Sequence, residues 1–253
     1  MLGLLTIVAA MFAAFALLDA FAPARVLPRV RGWRLKGLLM TAGYFAIALT
    51  APFLWDGWLA ERQLFNVEAL GFWPGVAIGF LAIEVGMWAW HRTLHGVPFL
   101  WRHFHQTHHS AERIDVFGAF FFHPLDMLGW TLLGSLALVG FVGVAPEAAL
   151  VVTLATTFLA MFTHANLKTP RWLGYIIARP ESHAAHHERG VHGRNYCDFP
   201  LIDMLMGTFC NPREFPEEAG IVPGGSDRWW SLLIGRDLER LSGRKGPRLA
   251  PAE

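Results

Sequence analysis

Charge is what this sequence has least of. Only 16% of its 253 residues are Asp, Glu, Lys or Arg, against about a quarter in a soluble domain. A net charge of +1 excludes the strongly basic face from which nucleic-acid binders draw their affinity. Cysteine is nearly missing. Cys197 and Cys210 form neither a disulfide framework nor a C-x-x-C metal or redox pair, and read as free thiols in a reducing compartment. No G-x-G-x-x-G fingerprint follows a strand, so no nucleotide-binding reductase module is expected within these residues.

Apolar residues are what fill the space. They make up 54% of the chain, with 11 Trp and 20 Phe. Five runs reach the ~20 residues needed to cross a bilayer core: 2–22, 37–55, 72–90, 125–145 and 147–163. The first could pass for a secretory signal, ending in Ala20-Phe21-Ala22. It lacks a basic leading segment, and Pro23 would follow the cut, so it reads as a retained span. Val144-Ala145-Pro146-Glu147 leaves only a tight turn between the last two runs, which makes them a hairpin. The expected fold is an all-α polytopic membrane helix bundle of four to five spans. Three regions follow: membrane spans over 1–71, a histidine-rich region over 72–211, and a tail over 212–253. In the tail, "DRWWSLLIGRDLERLSGR" (227–244) reads as an amphipathic interfacial helix.

Basic residues near the spans set orientation. The connection 23–36 carries Arg25, Arg29, Arg31, Arg34 and Lys36, whereas 56–71 carries Asp56, Glu61, Glu68 and only Arg62. The first connection is therefore expected in the cytoplasm. Alternation of the spans then brings all twelve histidines, which lie between 91 and 192, to that same face. An Ala- and Arg-rich composition points to a bacterial inner membrane.

The histidines fall into spaced groups: His91-x-x-x-His95, His105-x-x-His108-His109 and His183-x-x-His186-His187. Residues four apart on a helix share a face, so His91 and His95 can grip one ion together. In H-x-x-H-H the last two side chains diverge by about 100° on a helix, so one box can reach two ions. A lone histidine is more often a packing residue. Three boxes at ligand spacing on one face reverse that, and a histidine-rich metal-binding cap is expected. Imidazole suits Zn, Cu, Fe and Ni alike. There is no cysteine cluster for an iron–sulfur centre and no H-E-x-x-H of a zinc protease.

These boxes resemble those of the fatty acid hydroxylase/sterol desaturase superfamily of integral-membrane di-iron enzymes. The likeness rests on "WHRTLH" (90–95), "LWRHFHQTHHS" (100–110), "FHPLD" (122–126), "HANL" (164–167), "RPESHAAHHERGVHGRNY" (179–196) and "LIDMLMGTF" (201–209). It covers about residues 75–210 and is specific, because order and spacing match together. It implies an O2-dependent enzyme with two iron ions that hydroxylates or desaturates a membrane lipid such as a fatty acyl chain or sterol. It makes His91, His95, His105, His108, His109, His183, His186 and His187 metal ligands and His164 a ninth. His123 and His192 also stand where many members carry histidine, and are candidates for ligands or for their supports. His103 falls outside the ligand spacing and reads as structural. Phe121 replaces an Arg frequent in relatives, and Cys197 replaces a Gly; both leave the substrate open.

Ligating imidazoles usually donate their second N–H to a carboxylate or carbonyl. Candidate supports are Glu84, Asp126, Asn166, Glu181, Asn195, Asp198 and Asp203. Electrons, ultimately from NAD(P)H, are expected from a separate ferredoxin or cytochrome-type protein with its reductase. Arg102, Arg113, Lys168, Arg171, Arg179, Arg189 and Arg194 offer it a basic docking face, or simply mark the cytoplasmic side. A non-enzymatic metal-binding or transport protein is the alternative, and zinc hydrolysis a third reading.

Overall fold

Proline fixes where many of the helices start. The computed structural model describes residues 2–241, and among them the only β pairing is one isolated antiparallel bridge, Glu188 to Ala219. The long helices are α1 (Leu2–Phe21), α2 (Trp33–Thr50), α4 (Phe72–Gly96), α6 (Pro124–Ser135, prolonged by a wide i to i+5 turn at Leu136–Phe141) and α7 (Pro146–His164). Short ones fill the connections: α3 (Asp56–Ala60), α5 (98–109), α8 (Pro180–His186), α9 (Pro200–Leu205), α10 (Trp229–Leu233) and α11 (Leu238–Leu241). Pro98, Pro124, Pro146, Pro180 and Pro200 each open a helix, where a missing N–H costs nothing because it would have no intrahelical partner. Gly32 (φ 65°) and Gly71 (φ 92°) provide the turns into α2 and α4.

Five helices are long and apolar enough to cross a membrane: Gly3–Phe21, Trp33–Leu54, Phe72–Gly96, Pro124–Phe141 and Pro146–His164. Ile7, Leu17, Leu39, Phe53, Leu81, Leu150 and Phe158 point outward from them, as lipid-facing residues do. The third span runs past the expected limit at 90 to Gly96, so His91 and His95 sit on a continuous helix. Helix α2 likewise begins at Trp33, whose indole N–H donates to Asp115 at 2.7 Å.

Small residues bring the helices together. Gly75 and Gly79, spaced four apart on α4, face α7 so closely that an added Cβ would lie 3.3 Å from Ala148 and 3.4 Å from Val152. This is how helices pack when lipid removes the hydrophobic drive between them. At one end of the bundle the loop after α3 is laced to the end of α6, with Leu64, Phe65, Val67 and Glu68 N–H donating to the carbonyls of 140–143. The opposite end carries all the histidines and the basic connection between α1 and α2. Asp19 at the end of α1 ties this end together by accepting from Val116 N–H at 2.8 Å and Asn166 N–H at 2.7 Å.

The tail departs from expectation. Instead of one amphipathic helix it forms α10 and α11, broken at Gly235 (φ 65°). Leu232 and Leu238 are buried with Trp101, Ile221 and Val222 in a small core. Gln106 clasps the break, donating to the Arg236 carbonyl at 2.8 Å and accepting from Leu238 N–H at 2.9 Å. An apolar face that suits a membrane surface serves here to close over α5, although Trp230 and Leu241 stay exposed. Residues 242–244 of the expected helix lie outside the described residues.

One contact tests this packing. A Cβ on Gly37 would collide with the Phe117 carbonyl and lie 2.7 Å from Phe117 Cβ, whereas on Gly57 it meets nothing within 4 Å. Gly37→Ala should cost about 1–3 kcal/mol and lower the thermal unfolding midpoint in detergent, while Gly57→Ala should show no such loss.

Candidate metal centre

Nine imidazoles converge at the histidine end in two adjoining groups. His91, His95, His105, His109 and His186 make the first, and His108, His164, His183 and His187 the second. In each group one ligand-capable atom per residue lies within 4.8 Å of all the others. The helical arithmetic explains the division. Residues four apart stay together (91 with 95, 105 with 109, 183 with 187), and the remaining member of each H-x-x-H-H box crosses to the other group. Helix α5 manages this with a wide turn at Trp101–His105, which fits a three-ligand box between α4 and the tail.

Burial and tautomer agree with a ligand role. Eight of the nine are buried, and His183 is partly open to the cavity it borders. His91 Nδ1–H donates to the Tyr196 carbonyl (2.9 Å), His186 Nδ1–H to the Arg194 carbonyl (2.5 Å), His164 Nδ1–H to the Ala160 carbonyl (2.8 Å) and His105 Nδ1–H to Asp126 Oδ2 (2.7 Å). Each such bond leaves Nε2 with its lone pair. These Nε2 atoms face one another: His91 to His105 at 2.9 Å, His164 to His183 at 3.1 Å, His183 to His187 at 3.0 Å and His108 to His164 at 3.3 Å. His109 Nε2, His186 Nε2 and both ring nitrogens of His95 are buried with no hydrogen-bond partner. Lone pairs gathered without donors fit cations, since metal–imidazole bonds of ~2.0–2.1 Å require ligand atoms within ~4 Å of each other.

The surroundings keep these rings neutral. Burial, reinforced by neighbouring imidazoles, holds His105, His108, His109, His183, His186 and His187 well below the ordinary histidine range. His192 is pushed down to about 3, chiefly by burial and then by Arg189. Neutral imidazole is the form that binds metal.

The candidate supports are placed unequally. Asp126 touches a ligand candidate directly. Asp203 acts at one remove, accepting from Tyr196 N–H (2.9 Å) and Cys197 N–H (3.3 Å). Glu84 does not reach His91 and instead accepts from Asp198 N–H (2.8 Å) and Phe199 N–H (2.9 Å). Asn195 ties its loop to Ser182 and Cys210. Asp198 borders the cavity, its carboxyl raised to about 7 by burial and by Asp203. Asn166 and Glu181 are employed elsewhere: Asn166 donates to the Arg25 carbonyl (2.7 Å), and Glu181 accepts from Thr169 (2.8 Å) beside Arg179 (3.3 Å).

His123 and His192 part company. His192 lies 3.0 Å from His109, Nδ1 to Nδ1, and supports that ring from outside both groups. His123 is away from both: its Nδ1 caps α6 by accepting from Leu125 N–H (3.1 Å), and its Nε2–H donates to the Leu233 carbonyl (3.3 Å). Position before Pro124 makes it a helix cap, which the histidine count could not distinguish from a ligand. His103 stacks on Phe99 and donates to its backbone. Phe121 packs between Trp33 and Trp229. Arg179 is 1% exposed and bonded to Asn211, Thr169 and Pro212, so it drops out of any docking face. The carbonyls of Ala160, Arg194 and Tyr196 escaped sequence reasoning, because every residue has one.

A cavity of about 320 Å³ opens beside both groups and runs between α2, α4, α6 and α7. His91, His105, His108, His164 and His183 line one end, Phe120, Phe122 and Trp130 follow, and Ala48, Pro52, Leu138 and Ala149 line its far reaches.

The class is thus an all-helical, integral membrane protein whose buried histidines are arranged for metal. The chain belongs to the fatty acid hydroxylase family, whose model matches residues 76–208, more than half of its length. It is similar to a sphinganine C4-monooxygenase of Arabidopsis thaliana (27% identical; 61% of this chain, 60% of the relative) and to the alkylglycerol monooxygenase of Homo sapiens (29%; 62% and 34%). A very-long-chain aldehyde decarbonylase of Oryza sativa matches at 27% identity (52% and 54%). The match therefore takes in less than two thirds of each of these relatives. No solved structure matches.

The neutral rings make pH a probe of the site. In the unfolded chain these histidines titrate near 6.5, while in the folded, metal-free protein they stay unprotonated well below that. As pH falls, the unfolded state binds protons first. The stability this supplies is complete above about pH 6.5 and is lost progressively below it. Chelator-treated protein should show a steady unfolding midpoint from about pH 7 to 8 and a steep decline toward about pH 5.

Proposed function

We propose that the chain is an O2-dependent membrane oxygenase that hydroxylates or desaturates a lipid at a centre of two iron ions. The observation that carries the reading is the junction itself: two groups of buried, neutral imidazoles open onto an apolar cavity that descends among membrane helices. Relatives named for sphinganine, alkylglycerol and very-long-chain aldehydes agree with a lipid in that cavity. The first group would hold one ion through His91, His95, His105, His109 and His186, and the second another through His108, His164, His183 and His187. Bound iron supplies the reductive activation of O2 that attack on an unactivated C–H bond requires, and that side chains alone cannot supply.

The protein's own part is placement and exclusion. Apolar walls at Ile83, Leu138 and Val139 receive an alkyl chain, and Phe122 and Trp130 confine the carbon nearest the histidines. From Ala149 to His164 the cavity follows fifteen helical steps of α7, about 22 Å of helix rise, long enough for an extended acyl chain. Burial keeps water from the reacting carbon, and Asp126 and the Tyr196 carbonyl hold His105 and His91 with Nε2 inward. The histidine end faces the cytoplasm in this reading, where a separate ferredoxin or cytochrome-type carrier with its NAD(P)H reductase delivers electrons. A bacterial inner membrane is the expected location. A transport role is disfavoured because the histidines stand at one end of the bundle and not along its depth.

Lipid mass spectrometry of cells with and without the protein tests the reading. A lipid heavier by one oxygen atom, or lighter by two hydrogens, should appear only with O2 and vanish in His108→Ala and His186→Ala. Product that survives in the doubly substituted chain would sink the assignment. Gly134 borders the cavity, and a Cβ there meets nothing within 4 Å. Gly134→Phe should cut turnover of long chains at least tenfold while leaving metal content at the wild-type level.

A further inference from the structure

The two histidine groups are not held alike. In the first group His91, His105, His109 and His186 each have a partner on the nitrogen turned away from the centre, while His95 has none on either nitrogen; three of those four partners come from one loop, residues 191–199. The loop gives the Arg194 carbonyl to His186, the Tyr196 carbonyl to His91 and the His192 ring to His109. The second group receives nothing from it. Its one such partner is the Ala160 carbonyl on His164, which belongs to the same helix. His108 Nδ1 and His187 Nδ1, both buried, have none.

The loop is also unusually well fastened. Among the described residues, the two non-glycine positions with positive φ are His192 (43°) and Asn195 (52°), and both lie in it. Such backbone persists only where surrounding bonds over-determine it. Those bonds are present. Asp203 accepts from Tyr196 and Cys197 N–H, Glu84 from Asp198 and Phe199 N–H, and Asn195 exchanges hydrogen bonds with Cys210 and Ser182. Glu84, Asn195 and Asp203 are all buried. None of the three touches a ligand candidate, so their bonds position the loop, and the loop orients the rings.

We propose that loop 191–199, fastened by Glu84, Asn195 and Asp203, is a positioning element for one metal position only, that of His91, His95, His105, His109 and His186. The two positions are therefore unequal: the first is preorganised and binds tightly, and the second binds more weakly. The proposal rests on the reading of these histidines as a two-metal centre. Three of the four histidines of the weaker position line the cavity, so the looser ligands border the space assigned to the substrate.

Cobalt(II) is a suitable probe, because its visible absorption reports each imidazole site without any turnover. Metal-free wild-type protein titrated with Co(II) should fill two sites whose affinities differ by tenfold or more. In Asp203→Asn the tighter site should weaken about 10–100-fold, the usual cost of losing a support behind a ligand, and the weaker should not move. Asn195→Gly, which keeps the left-handed backbone but removes the amide, should do the same. Adding His183→Ala to Asp203→Asn should remove the site that Asp203→Asn left unmoved, and adding His95→Ala should remove the one that it weakened. Two sites of equal affinity in the wild-type protein would overturn the proposal without recourse to any variant. So would parallel weakening of both sites in Asp203→Asn. Wild-type protein that binds no Co(II) at all would instead remove the metal centre itself, and the proposal with it.

Discussion

Everything at the histidine end answers to one demand, the enclosure of neutral imidazole lone pairs that face one another at about 3 Å. Most of them are buried, and among the described residues the inward nitrogens of His109 and His186 have no hydrogen-bond partner. A buried polar atom without a partner costs about 1–3 kcal/mol, and several gathered in one volume would not survive unless the fold held them or a cation drew them together. The structure invests in holding them. Three carbonyls, one from α7 and two from the loop 191–199, and the Asp126 carboxylate fix the tautomers, while Trp101, Phe122 and Trp130 pack around the rings. The tail closes over α5 and completes the enclosure.

The membrane helices answer to the same demand from below. Gly75 and Gly79 let α4 approach α7, which sets His91 and His95 opposite His164 across the bundle axis. Helix α6 starts at Pro124 and immediately delivers Asp126 to His105. The cavity is what remains where α2, α4, α6 and α7 fail to meet. It begins at the rings, so a chain lying in it touches the site without leaving the apolar interior.

Much of this could be read in the residues, and the exceptions have physical causes. Hydropathy exposes spans because a bilayer admits no unsatisfied backbone, and i, i+4 spacing exposes shared faces because a helix has one period. The division of H-x-x-H-H between two groups followed from that period. Supports were legible only where chemistry is scarce: Asp126, a carboxylate near the histidines, could be picked out, whereas backbone carbonyls could not. Glu84 was noticed as an acid in an apolar span, but its partners lie more than a hundred residues away on the loop at 198–199, beyond any local pattern. His123, a candidate for ligand or support, caps a helix instead of joining either group, a role that a histidine before proline fills with the same atoms that ligate metal. The tail forms two short helices where one was expected, because Gly235 breaks the run; its stripe is divided between a small buried core and the exposed Trp230, Leu233 and Ile234.

The supports on His91 and His186 are main-chain oxygens, and this shapes how the site can vary. The side chains of Arg194 and Tyr196 can change while their carbonyls stay in place, so substitution alone does not delete those bonds. Inserting or removing one residue between His192 and Phe199 would do so, because it shifts both oxygens out of register at once. Length is thus a stricter constraint on this segment than composition. Across proteins that share the arrangement, gaps should avoid this stretch even where its letters drift.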